Sequence, residues 1–324
     1  MANGETPQDR VRRFVSDMYS VEQQALAQLV TAPDMAGDPA LGAMYRHHLT
    51  ETEGQAEMVA ERLEALGGSP SVVKDAVMRV GGKGFLLFAR VMPETPGRLA
   101  AHSYSYEAME WAGYRMLELV AGMAGDARTA EVARTIAAQE RAMMDRIEGG
   151  LHVAEQVSHG STPAGEMGSH VRTHLNEMHA LEMQGRKLAE KSERIGGPEE
   201  LKALYAAMSE DAELHARMVE DRLDSLGGSV SRLKDAAMAL GGTEWGLFFQ
   251  ALSDTPMKLA AFVYAFAHLK IAGYGLLRRT ARRAGDAETA VLCERLERSE
   301  RDRSRSLTEL FPVAAGSWEA ASTR

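Results

Sequence analysis

The sequence predicts an all-α protein made of two tandem four-helix bundles. Three observations point there. Aromatic residues are only 6% of the 324 positions, whereas Ala, Leu, Glu and Arg, all strong helix formers, recur throughout. The second half repeats the first: MVAERLEALGGSPSVVKDAVM from Met58 and MVEDRLDSLGGSVSRLKDAAM from Met218 agree at 13 of 21 positions, 160 residues apart. Each half also carries four long runs with apolar residues at the 3.6-residue period.

The ungapped offset of 160 pairs Tyr45 with Tyr205, Thr95-Pro96 with Thr255-Pro256, Gly113-Tyr114 with Gly273-Tyr274, and Glu140-Arg141 with Glu300-Arg301. A repeat of this length is a whole domain, not a solenoid unit. In the first copy the periodicity predicts helices over 8–31, 39–66, 96–124 and 126–152. Gly67-Gly68 and Gly125 supply stop signals, and Thr95-Pro96 a start signal. The second copy predicts 165–194, 198–226, 256–284 and 286–310. The 67–95 connection is long and holds a helical piece, Ser71–Val80, followed by GGKGFLLFARVM. Short, long, short connections describe a bundle with one crossover, the topology of ferritin-like bundles. The predicted organisation is a bundle over 1–158, a connector over 159–169, a second bundle over 170–312 and a frayed tail over 313–324. The bundles are expected to pack as an intramolecular pseudo-dimer, open to further self-association.

A net charge of −9 argues against a broad nucleic-acid surface. The arginines at 278, 279, 282, 283 and 295–305 alternate with glutamates and read as a solvated face. One cysteine, Cys293, excludes an internal disulfide framework and a cysteine-based zinc cluster. No apolar run reaches about 18 residues, so no membrane helix is expected. The first residues lack the apolar core of a secretory signal, which makes the cytoplasm the expected compartment. The glycines at 81–84 have GGTE (241–244) as counterpart and lack the context of a phosphate loop.

Polar residues interrupt the apolar stripes of the first copy. Glu22 falls on the stripe of Val11, Val15, Met18, Leu26 and Leu29. His48, Glu51 and Gln55 continue that of the second helix. Glu107, Glu110 and Tyr114 occupy the middle of the third, and Glu140 sits between Ile136 and Met143 on the fourth. Carboxylates from four helices at one level would repel strongly and cost several kcal/mol each if buried unpaired. A pair of divalent cations removes that repulsion, and oxygen donors with an occasional imidazole suit iron or manganese. The alternative turns each helix by one position and leaves these glutamates in water.

At these residues the chain resembles the ferritin-like proteins of the YciE/YciF type, the DUF892 family. The shared features are Tyr19-Ser20-x-Glu22, HLTETEGQ at 48–55, Glu107-x-x-Glu110-x-x-x-Tyr114 and Gln139-Glu140-Arg141. The resemblance implies a ferritin-like bundle with a dinuclear metal site, linked to stress responses. It implies Glu22, Glu51, Glu107, Glu110 and Glu140 as ligands, with His48 and Gln55 as ligands or supporting groups. The chain departs from the usual dimetal pattern: His48-x-x-Glu51 reverses Glu-x-x-His, and Met143 and Met144 stand where a further ligand is usual.

The offset makes the second copy a degenerate site. Glu182, Asp211, His215 and Glu300 remain as counterparts of Glu22, Glu51, Gln55 and Glu140. Glu107 becomes Ala267, Glu110 becomes Lys270 and His48 becomes Met208. Lys270 is expected to neutralise Glu182, Asp211 and Glu300 in place of metal, the alternative being a lysine that reaches the surface. Tyr114 persists as Tyr274 whereas Tyr19 becomes His179, so Tyr19 is the expected redox tyrosine. The favoured function is a di-iron or di-manganese protein reacting with dioxygen or peroxide. The alternative is a non-enzymatic stress or scaffold protein. A third reading takes FLLFARVM and WGLFFQAL as apolar docking segments.

Overall fold

The computed structural model describes residues 6–69, 95–195, 197–230 and 255–322. The expected helical piece at 71–80, GGKG, GGTE and the FLLFARVM and WGLFFQAL segments lie outside the described residues.

Among the described residues the chain forms ten α-helices and no strand. The first unit, Met1–Ser158, holds α1 (Pro7–Leu29), the short α2 (Ala32–Met35), α3 (Pro39–Ala65), α4 (Thr95–Met123) and α5 (Ala127–His159). A 3-10 turn at Ala164–Glu166 precedes α6 (Met167–Ile195), α7 (Glu199–Ser225), α8 (Thr255–Arg283), α9 (Ala287–Glu309) and α10 (Phe311–Ser322). The second unit is His159–Arg324.

Local chemistry sets the helix ends. Thr6 and Asp9 form a reciprocal capping box around Pro7, and the Asp38 carboxylate accepts from the amides of Ala40 and Leu41 before Pro39 settles the first turn. Gly125 and Gly285 take φ of 71° and 73°, left-handed values open to glycine at little cost. They let Asp126 and Asp286 bond back to Ala121 and Ala281 and then start the next helix. A clasp is built twice across these corners. Arg62 donates to Thr129 Oγ1 (2.6 Å) and Asp126 Oδ2 (2.8 Å), and Arg222 to Thr289 Oγ1 (2.8 Å) and Asp286 Oδ1 (2.5 Å).

The structure differs from the sequence expectation at three places. Helix α5 continues seven residues beyond 152 to His159, because Leu151, Ala154, Glu155 and His159 keep a buried stripe at helical spacing. The expected connector is therefore helical at both ends. The expected tail forms α10: Phe311, Ala314 and Ala315 give an i, i+3, i+4 face that is at most 3% exposed, with the Phe311 ring 5.9 Å from that of Tyr264. Helix α8 contains a stretch, Pro256–Arg283, long and apolar enough to cross a membrane by length and composition. Within its bundle 78% of the most apolar 18-residue window of that stretch is buried, which is the pattern of a core helix. Arginines of the basic region pair locally: Arg298 with Glu294 lies on the expected solvated face, whereas Glu297, which takes both Arg278 and Arg301, is buried.

Candidate metal centre

The inward stripes of the first unit meet in one polar cluster. Glu22 on α1 and His48 on α3 are 0% exposed, Glu107 and Glu110 on α4 2%, and Glu140 on α5 0%. Each of the four long helices contributes, and all of these side chains except Glu110 are bonded across to another helix. Tyr114 donates its hydroxyl to Glu22 Oε1, joining α4 to α1. His48 Nε2 lies 2.9 Å from Glu107 Oε2 and 3.8 Å from Glu140 Oε2. Gln55 donates to Glu140 Oε1, joining α3 to α5. Tyr106 donates to the Val21 carbonyl at 3.1 Å and closes the α1–α4 side.

The charge does not balance. Four buried carboxyl groups face one imidazole. Glu107 stands close enough to Glu110 and Glu140 that its charge acts to keep both of them protonated. Burial pushes the Glu22 carboxyl up to about 8, against the opposing hydrogen bond from Tyr114. Burial together with neighbouring carboxylates holds Glu110 and Glu140 well above the usual range. Burial also acts to raise Glu107, but His48 outweighs it and brings that carboxyl below its ordinary value. On His48 burial lowers and Glu107 raises, and the carboxylate prevails at about 9. Four buried acceptors, Glu22 Oε2, Gln55 Oε1, Glu110 Oε1 and Glu140 Oε2, have no hydrogen-bond partner among the described residues. Such atoms cost about 1–3 kcal/mol each when left without one, more if charged.

Two expected members are placed differently. Glu51 is not inside the cluster. The buried polar stripe of α3 runs through His48, Thr52 and Gln55 at i, i+4 and i+7, and Glu51 falls on its flank. It is 19% exposed, pairs with Arg146 Nη2 at 2.5 Å and takes His48 Nδ1 at 3.2 Å. Arg146 and His48 bring its carboxyl down to about 2 against the opposing effect of burial. Glu51 therefore orients the imidazole from the mouth of the site. Tyr19 is half-buried, and among the described residues it makes no hydrogen bond to the cluster. Tyr114, fully buried on Glu22, is the tyrosine of the centre.

The second unit packs a different set at the same level. Lys270 Nζ lies 3.0 Å from Glu182 Oε2 and 2.5 Å from Glu300 Oε1, and is 6% exposed. His215 Nδ1 lies 3.2 Å from Glu300 and 3.6 Å from Glu182, with its Nε2 on Ser299 at 3.1 Å. Tyr274 donates to Glu182 at 2.7 Å. Asp211 stands apart, paired with Arg303 at 2.5 Å as Glu51 is with Arg146. Two carboxylates thus face two cations. Burial works against both cations, yet Glu182 and Glu300 raise Lys270 above its ordinary value and His215 to about 9. Gly185 makes the room. A Cβ there would meet the Phe266 ring at 3.1 Å and Lys270 Nζ at 3.5 Å, and the corresponding position of the first unit is Ala25.

Two groups among the described residues bring three donor atoms within 4.8 Å of one another: His48–Glu107–Glu140 and Glu182–His215–Glu300. In the second, the ammonium already bonded to Glu182 and Glu300 competes with any added cation. A family model described as "Domain of unknown function (DUF892)" matches residues 6–158 and again 170–317. The chain belongs to the DUF892 family. The two matches fall one on each unit, so the duplication is of a whole DUF892 domain. No curated protein and no solved structure matches the chain. Sequence reasoning missed Arg146 and the role of Tyr114 in this DUF892 chain. The joint persistence of Glu22 with Tyr114 as Glu182 with Tyr274 was the available signal.

Proposed function

We propose that the N-terminal unit binds two iron or manganese ions and carries out stress-related redox chemistry with dioxygen or peroxide, of ferroxidase, peroxidase or oxidase type. One observation carries this reading: four buried carboxyl groups around a single imidazole, with four acceptor oxygens that no described residue satisfies. Protons or cations must supply the missing positive charge. The donor set suits iron or manganese, being rich in hard oxygen with one nitrogen. Glu22, His48, Glu107, Glu110 and Glu140 would hold the ions, which would supply one-electron exchange with the oxidant.

The chain's own residues prepare that arrangement. Tyr114 holds one oxygen of Glu22 and leaves the other facing the cluster, and Gln55 does the same for Glu140. Glu51 keeps the proton on His48 Nδ1, so loss of the other ring proton frees Nε2 as a donor atom. Met143, Met144 and Ile147, all at most 1% exposed, keep bulk water from the α5 side. The second unit is a structural partner with an internal ammonium. A cytoplasmic location is part of this reading; Cys293, the chain's single thiol, is buried.

The test is metal content after native purification, with Glu22→Ala/Glu140→Ala as control. Stoichiometric iron or manganese that disappears in the double variant supports the reading. No metal after aerobic loading with either ion overturns it. Anaerobic iron(II) followed by oxygen, watched by absorption, separates redox chemistry from structural binding.

A further inference from the structure

Three histidines cluster where the second unit begins. His159 ends α5, and His170 and His174 stand one turn apart at the start of α6. The His159 ring lies 4.8 Å from that of His170 at 74° and 5.5 Å from that of His174 at 61°. His159 is 2% exposed, and the other two are half-buried. The bundle itself does not call for imidazoles here: the offset places Arg10 and Phe14 of the first unit opposite His170 and His174.

We propose that His159, His170 and His174 form a nitrogen-rich site for a borderline transition ion such as zinc, separate from the carboxylate centre. Two imidazoles that share a tetrahedral zinc at bonds of about 2.1 Å hold their ring centroids roughly 5 Å apart. Both observed ring pairs, at 4.8 Å and 5.5 Å, have about that separation. Two histidines four residues apart on one helix face can chelate a single ion, as in metalloprotease helices. Imidazole sets favour zinc, copper or nickel, whereas the N-terminal centre, rich in hard oxygen, favours iron or manganese. The three nitrogens are not already within 4.8 Å of one another, so the set closes by rotation of the side chains. A bound ion would join the two ends of the 160–169 connector.

The test is titration of the full chain with cobalt(II), whose intense visible bands report tetrahedral nitrogen ligation. It is run on the unsubstituted protein and on Glu22→Ala/Glu140→Ala. One equivalent with tetrahedral bands is expected in both. His170→Gln and His174→Gln, each at a half-buried position, should weaken that equivalent at least tenfold while circular dichroism stays unchanged. Zinc should displace the cobalt. Absence of tetrahedral bands from the unsubstituted protein, or bands of equal affinity in both histidine variants, would overturn the proposal.

Discussion

The two units solve the same electrostatic problem in opposite ways. Each converges acidic side chains at mid-bundle, and each ties the α1- or α6-borne glutamate to a tyrosine, Tyr114 or Tyr274. The second unit removes two carboxylates and adds an ammonium, so Glu182 and Glu300 face Lys270 and His215 with none of their oxygens orphaned. The first keeps four carboxyl groups and leaves three of their oxygens orphaned. One copy has become self-sufficient, and the other depends on protons or a cation from outside. The Glu51–Arg146 and Asp211–Arg303 pairs flank both solutions. The mouth of the site was retained while its interior diverged.

The comparison breaks most readily at Lys270. Lys270→Met leaves Glu182 and Glu300 with His215 as their one described countercharge, and breaking such a buried pair costs about 3–5 kcal/mol. Chemical denaturation should show this loss, confined to the second unit by hydrogen exchange. A loss under about 1 kcal/mol would mean that the ammonium is not the counterion. Metal loading tests the other side. Manganese at about a thousand times its dissociation constant should stabilise the first unit by about 4 kcal/mol and leave hydrogen exchange in the second unchanged. Equal protection of both units would erase the distinction.

Next comes pH, in the metal-free protein. Glu22 is raised from 4.5 to about 8, so its folded form holds a proton that the unfolded form releases. That contribution is complete below pH about 4.5 and is lost as pH climbs through about 8. His48 and His215, raised from 6.5 to about 9, contribute fully below about 6.5 and lose it through about 9. The first unit should therefore begin to weaken at lower pH than the second in unfolding curves. Metal affinity should rise over the same range, because the ligands must lose protons to bind. The smallest effect is at Gly185. In Gly185→Ala the helix gain of about 1 kcal/mol is set against crowding of Phe266. A net change within about 1 kcal/mol is expected by thermal denaturation.

The bundles were legible because four apolar stripes, two Gly-Asp corners and an ungapped repeat all agree. The site was legible as a set of helices but not in its phase. On α3 the inward residues are themselves polar, so hydropathy could not tell His48–Thr52–Gln55 from a stripe centred on Glu51. The arginine partners were hidden because they shift by a turn between copies: 160 residues on from Arg146 is Ser306, whereas Asp211 pairs with Arg303. Tyr114 was discounted because it recurs in the second copy. It recurs because what it holds, Glu22 or Glu182, recurs with it. The segment after Phe311 was judged by its small residues and not by its i, i+3, i+4 spacing.

Lys270 has one further consequence. A side-chain ammonium is made with the polypeptide, so it is present at birth in fixed ratio and no chelator or shortage can strip it away. The half that carries it can complete its core as soon as it leaves the ribosome. The other half, on the function proposed above, draws its countercharge from outside the chain, as protons or as metal, so its stability would follow metal supply while the second half holds firm.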